Sequence, residues 1–308
     1  MSGKPLRTPV AFLIFNRPDT TARVFAQIAR ARPARLLVVA DGPRAGRTEE
    51  AQRCAEARAI IERVDWPCEL ETHYSEVNLG CRVRVASGLD WVFERVPEAI
   101  ILEDDCVPDS SFFPYCEELL ARYRDDERIG MISGDNFQRG RRIGEGSYYF
   151  SKYTHIWGWA SWRRAWRHYD VTGSLWPQLL GSGVFERLAL PCERDTWRAA
   201  FEGIHAGRID TWDYQWTLAC WCHSMLAAMP QVNLIRNIGF GEHATHTKRV
   251  NEYAEMPTGT MEWPLVAPAL TAANALADGY TAEQMFKDRM SLARRARRLM
   301  SRAMRYRL

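Results

Sequence analysis

Ala99-Ile100-Ile101-Leu102-Glu103-Asp104-Asp105-Cys106-Val107-Pro108 joins four aliphatic residues to three consecutive carboxylates. A short aliphatic run bounded by polar turn residues predicts a buried strand. Glu103, Asp104 and Asp105 at its carboxyl end repel one another and are costly to pack without something positive among them. Such oxygen donors suit Mg²⁺ or Mn²⁺, ions commonly shared with substrate phosphates. In open α/β sheets, ligands bind where strands end. The competing reading is an acidic loop capping the next helix, because Asp109-Ser110 precedes Phe112-Phe113.

Outward from this stretch, strand-like runs at 10–15, 36–40, 68–74, 99–102 and 129–133 alternate with helix-like periodicity at 20–32, 49–64, 83–96 and 112–123. That alternation predicts an α/β fold with a mostly parallel central sheet and helices on both faces. Polar groups gather in the loops after the strands: Asn16-Arg17-Pro18-Asp19, Asp41-Gly42-Pro43-Arg44, Asn78-Leu79-Gly80-Cys81-Arg82 and Gly134-Asp135-Asn136. No GxGxxG or GxxxxGK[ST] is present, which argues against dinucleotide and Walker-type phosphate sites.

From about residue 148 the texture changes. Tyr148 to Tyr153 reads as an antiparallel strand, and ten of the twelve tryptophans lie between 157 and 263. Each is more readily a core residue than a ligand platform. Trp157 and Trp159, however, flank Gly158 at an expected turn, where a ring can stack on a sugar. Asp210-Thr211-Trp212-Asp213 opens a helix expected to run to about Met229, and Asp213 there serves equally as a helix-terminal charge. His243 and His246, three apart, are candidates for the metal or a phosphate.

With 308 residues, 46% hydrophobic and 26% charged, the chain can bury one large core or two small ones. No stretch has the length of a bilayer span, and the first residues lack a signal peptide's apolar segment. Eight scattered cysteines suit reduced thiols in the cytoplasm. Cys220-Trp221-Cys222-His223 is set aside as a metal site, since i, i+2 spacing on a helix splays the sulfurs apart. The net charge of +3 is uneven: residues 287–308 hold nine basic side chains against Asp288, a balance of +8, leaving −5 for the rest. Residues 283–308 therefore read as a basic amphipathic helix suited to an anionic membrane surface, or as a solvated terminus. The acidic body shows no nucleic-acid recognition motif.

Taken in order, these motifs resemble nucleotide-sugar glycosyltransferases of the GT-A type, and among them the N-acetylglucosaminyltransferase I family and its bacterial hemolytic-protein-like relatives. The likeness spans about residues 8–247 and is strongest from Ala99 to Asn136. It implies a GT-A domain over 8–250 (a nucleotide-binding half at 8–136, an acceptor half at 137–250), then an extension over 251–308 with a helical tail. It also implies a Glu-Asp-Asp form of the Asp-x-Asp signature, in which Asp105 binds Mn²⁺ while Glu103 and Asp104 steady the ribose and the metal's surroundings. Asn16-Arg17 matches a loop beside the nucleotide, and Asp41 a carboxylate that accepts from uracil N3–H. Asn78 to Arg82 matches a nucleotide-side turn, from which Arg82 or Arg84 reaches a phosphate. Trp212-Asp213-Tyr214-Gln215-Trp216 resembles the segment supplying the catalytic base. It nominates Asp213, but one acid fewer than the family pattern leaves Asp210 and Asp135 open. Gly158-Trp159 resembles a turn beside the donor sugar, and from the late Phe240-Gly241 segment Arg236, His243 and His246 would close over the diphosphate.

The implied function is metal-dependent, inverting transfer of a sugar from a nucleotide diphosphate, UDP favoured, to a glycan or lipid-linked acceptor. Bacterial surface polysaccharide or lipopolysaccharide synthesis is the expected setting, in the cytoplasm or on the inner face of the plasma membrane. The alternatives are a non-catalytic carbohydrate-binding or scaffold protein and a sugar-nucleotide nucleotidyltransferase.

Overall fold

The computed structural model describes residues 5–240 and 256–287. In chain order its elements are β1 (Val10–Ile14), α1 (Pro18–Ala31), β2 (Arg35–Ala40), α2 (Thr48–Ile61), β3 (Glu69–Tyr74), α3 (Gly80–Arg95), β4 (Glu98–Glu103), β5 (Cys106–Pro108), α4 (Phe112–Arg122), β6 (Ile129–Ser133), β7 (Tyr148–Ser151) and β8 (Trp159–Trp162). There follow α5 (Arg163–Trp166), α6 (Trp176–Gly181), α7 (Val184–Leu188), α8 (Arg194–His205), α9 (Asp213–Cys222), β9 (Leu226–Pro230), β10 (Ile235–Asn237), α10 (Ala275–Thr281) and a π-helical turn, Ala282–Phe286.

Eight strands form one sheet in the order β3-β2-β1-β4-β8-β6-β9-β7. β3, β2, β1 and β4 are parallel, β8 runs antiparallel to both its neighbours, and β7 is antiparallel to β9. The mostly parallel sheet read from the alternating pattern is therefore present, with two reversed strands. Period-two side-chain alternation divides the core. Val10, Phe12 and Ile14 join Val24, Phe25 and Ile28 of α1 on one face. Ala11 and Leu13 join Val85, Leu89 and Val92 of α3 on the other. A third cluster, built from Trp176, Phe185, Trp197, Phe201 and Trp221, holds the small helices beside the sheet.

The helix opening near Asp210 stops at Cys222, short of the expected Met229. Ser224 takes a positive φ of 54°, and Met225 N–H closes on the Cys220 carbonyl at 2.8 Å. The apolar run Leu226–Pro230 then turns into the sheet between β6 and β7. Periodicity alone cannot separate a buried helical turn from a buried strand of this length. The turn expected around Gly158 is present, at φ 72°, but Trp159 already belongs to β8 and is fully buried.

One sheet thus spans both halves of the chain. Residues 256–287 pack along it, with Met261 N–H on Ser111 Oγ at 3.0 Å and Ser151 Oγ on Asp278 at 2.6 Å. Among the described residues no helix is long and apolar enough to cross a membrane. Most of the tail expected as a basic helix, residues 288–308, lies outside the described residues, and 283–286 fall in the π-helical turn.

Candidate active site

β4 ends on Glu103, and the next two acids occupy the turn into β5. The loop after β1 wraps this turn. Phe15 N–H donates to Asp104 Oδ2 at 3.1 Å, and Arg17 donates from one guanidinium nitrogen to Asp104 and from the other to Asp105 Oδ2 at 2.7 Å. Arg17 is held there as the residue preceding α1, its carbonyl accepting from the Thr20 and Thr21 hydroxyls. Burial opposes its charge, but Asp104 and then Asp105 outweigh burial and keep the guanidinium firmly protonated.

From the far side, Ile238 N–H donates to the Asp105 carbonyl at 2.8 Å, through the ribbon that β10 makes with β5. The Cys106 thiol donates to Asp105 Oδ1 at 3.4 Å. Gly239 is required here, since a Cβ at this position would lie 1.9 Å from Asp105 Oδ2. Burial, and next the charge of Asp105, push the Glu103 carboxyl well above the usual carboxylate range; Asp104 and Asp213 add to this and Arg17 opposes it.

The triplet floors a cleft of about 440 Å³. Phe15 and Arg17 come from the loop after β1, Asp41 and Arg44 from that after β2, and Asn78, Gly80 and Cys81 from the start of α3. Arg84, Ile156, Trp157, Asp210 to Asp213, Asn237, Gly239 and Phe240 also line the cleft. Trp157 stands edge-on to Phe240, ring centroids 5.7 Å apart, and is half-buried. Asp213 is the first residue of α9, with the Thr211 hydroxyl donating to its carboxylate.

Several predicted residues are placed otherwise than expected. Asp41 lines the cleft, but its two oxygens accept from Gly42 N–H, Leu79 N–H, Gly80 N–H and the Asn78 amide. A carboxylate offers about four lone-pair sites, so these donors saturate Asp41. It caps α3 instead of presenting a free acceptor to a base, and it fills the helix N-terminus expected to assist a phosphate. Arg82 turns to Asp210, at 3.8 Å, and Arg84 lines the cleft but holds its guanidinium against the Ala40 and His73 carbonyls. Asn16 bonds Glu50 at 3.2 Å, away from the cleft.

Trp159 is sealed in the core against Trp212, Trp166 and Trp216 and forms no sugar platform. Gly158 serves packing, since a Cβ there would meet Ile235 Cδ1 at 2.4 Å. Asp135 is fully buried, one oxygen accepting from Trp157 N–H at 2.9 Å; burial holds its carboxyl far above the usual range, and with no access to the cleft it is no base. Arg236 is exposed on β10 and does not line the cleft. His243 and His246 lie outside the described residues. Helix capping ahead of α4 falls to Asp109, which accepts from Ser111 N–H at 2.9 Å, so the triplet is free of that task. Sequence reasoning missed Asn237, which faces the cleft from a three-residue strand.

Among the described residues no three His, Cys, Asp or Glu side chains converge as a metal cage. The donor set still fits an ion of a different kind. Three carboxylates share the single guanidinium of Arg17, and Glu103 carries the resulting like-charge repulsion. One or two of them would hold Mg²⁺ or Mn²⁺, with substrate oxygens and water completing the shell, as is usual for these ions.

No family model matches the chain, and no curated protein matches its sequence. Among solved structures it is similar to the galactosyltransferase LgtC in complex with donor and acceptor sugar analogues, at 12% identity and TM-score 0.36, over 63% of this chain and 70% of that one. It is similar to mouse xyloside xylosyltransferase 1 in its apo form, at 11% identity and TM-score 0.33, over 71% and 84%. It is also similar to 4-diphosphocytidyl-2C-methyl-D-erythritol synthase from Anaerococcus prevotii, at 8% identity and TM-score 0.32, over 59% and 84%.

Proposed function

We propose that this protein is a metal-dependent glycosyltransferase of the GT-A type, moving a sugar from a nucleotide diphosphate, UDP favoured, to a glycan or glycolipid hydroxyl. The observation that carries this reading is the meeting of two acidic groups in one cleft at the strand ends: Glu103, Asp104 and Asp105 from the end of β4, and Asp213 from the start of α9. A binding protein has no use for such a concentration of like charge. A nucleotidyltransferase would be expected to open with a glycine-rich loop, where this chain has Phe15-Asn16-Arg17-Pro18.

Asp104 anchors Arg17, and Asp105, with Glu103 beside it, would be the ligand for Mg²⁺ or Mn²⁺. Such an ion, bound to the diphosphate, would offset the charge of the leaving group. Trp157 offers a partly exposed ring to the donor sugar. Asp213 accepts the proton of the attacking hydroxyl as the hydroxyl oxygen bonds to the anomeric carbon and the bond from that carbon to the diphosphate oxygen breaks on the opposite face, its electron pair leaving with the nucleoside diphosphate, which gives inversion. Thr211 orients the Asp213 carboxylate. Asp210, 63% exposed beside Arg82, would meet the acceptor.

Calorimetric titration of UDP, with Mn²⁺ and then with EDTA, tests the reading. Binding that needs the metal and vanishes in Asp105→Ala is the expected result. No binding of UDP, GDP, CMP or dTDP under either condition would overturn it.

A further inference from the structure

We infer that Arg17 stands in for the divalent cation in the free protein, so that the metal position opens only when a nucleotide diphosphate draws Arg17 off Asp105. This rests on the functional reading above. Both carboxylate oxygens of Asp105 are engaged: Oδ2 by Arg17 at 2.7 Å and Oδ1 by the Cys106 thiol at 3.4 Å. The pair is enclosed, with side-chain exposures of 17% for Arg17 and 13% for Asp105. The backbone of Gly239 closes directly over it, as a Cβ there would lie 2.9 Å from the Arg17 guanidinium as well as against Asp105.

A metal ion approaching alone must therefore displace a part-buried guanidinium with nothing to receive it. Arriving with a diphosphate, the ion takes the carboxylate while the phosphate oxygens take the guanidinium, a fork suited to them. Arg17 keeps its hold on Asp104, which is more deeply buried than Asp105 at 2% side-chain exposure, so the exchange is a rotation about a fixed contact.

Mn²⁺ alone, titrated into metal-free protein and followed by its electron paramagnetic resonance signal, tests this. Arg17→Met, which keeps the stem and removes the charge, is expected to bind Mn²⁺ roughly tenfold or more tightly than wild type, the scale of one part-buried charge contact. Arg17→Lys should stay near wild type, and Asp105→Ala in the Arg17→Met background should erase the gain. An Arg17→Met protein that binds Mn²⁺ no tighter than wild type overturns the inference. Should Arg17→Met not fold, wild type alone decides. UDP is expected to raise its Mn²⁺ affinity about tenfold or more, and equal affinity with and without bound UDP overturns the inference. If UDP fails to bind but Arg17→Met still gains Mn²⁺ affinity, the nucleotide reading falls while the competition between Arg17 and the ion stands.

Discussion

The Asp213 charge is felt at Glu103, yet the two residues stand 110 positions apart in the chain. Their division of labour is testable at single positions. Asp213→Ala should leave UDP and Mn²⁺ binding within about twofold, because its carboxylate bonds Thr211 while Arg17 holds Asp104 and Asp105. It should lower turnover by about 10²–10⁴, the usual worth of a positioned base. Transfer assays beside binding isotherms on the same protein check this, and full turnover in the variant would reject Asp213 as the base. The acids were legible as a signal because three of them end one apolar run. Their partners were not. Gly239 and Asn237 are adjacent to the triplet only through the ribbon of β5 with β10, and nothing local marks a three-residue strand as such.

Among the elements, the strand–helix alternation through β6 was readable because β1, β2, β4 and β6 are compact aliphatic runs and β3 alternates along Glu-Leu-Glu-Thr-His-Tyr; only the three-residue β5 escaped it. β8 was not, because Trp-Ala-Ser-Trp carries aromatic and small residues with no apolar–polar alternation. It is a strand by virtue of pairing with β4 and β6 on its two sides. The turn that delivers it depends on Gly158, whose φ of 72° is costly for any residue with a Cβ. Gly158→Ala should destabilise the protein by about 2–4 kcal/mol, combining the backbone cost with the intrusion on Ile235 and Leu102. Urea unfolding followed by tryptophan fluorescence measures this, and an unchanged midpoint would show that the turn relaxes freely. The same geometry explains the tryptophans: Trp159, Trp162, Trp216 and Trp221 are almost fully buried, and among the expected platforms only Trp157 reaches the cleft.

At the scale of the whole molecule, the C-terminal segment is bound to the sheet through Asp278, which accepts from Ser151 Oγ at 2.6 Å and Lys152 N–H at 3.2 Å. Burial raises its carboxyl to about 6, against the lowering pull of those donors and of the Lys152 charge. The unfolded chain releases this proton near the ordinary carboxylate value of about 4. Between pH 4 and 6 the folded state thus binds more protons than the unfolded one, and stability from this group falls as pH rises through that window. The total is about 2–3 kcal/mol. Asp278→Asn, neutral at every pH, should flatten the stability profile by that amount while costing about 1 kcal/mol at pH 4 for an acceptor lost. Unfolding curves at pH 4.5, 6 and 7 test it; an equal slope in both proteins would assign the pH dependence elsewhere.

The insertion of β8 between β4 and β6 also sets a timetable for synthesis. Chains emerge amino-terminus first and domains ordinarily fold as they appear. Here β4, which carries the acidic triplet, keeps an open edge until residue 162 has left the ribosome, and β6 waits for β8 on one side and for β9 on the other. The nascent chain therefore holds its candidate site unfinished, beside an unpaired strand, until β8 and β9 arrive. A premature stop anywhere before residue 230 leaves an incomplete sheet with an edge ready to pair with a stranger.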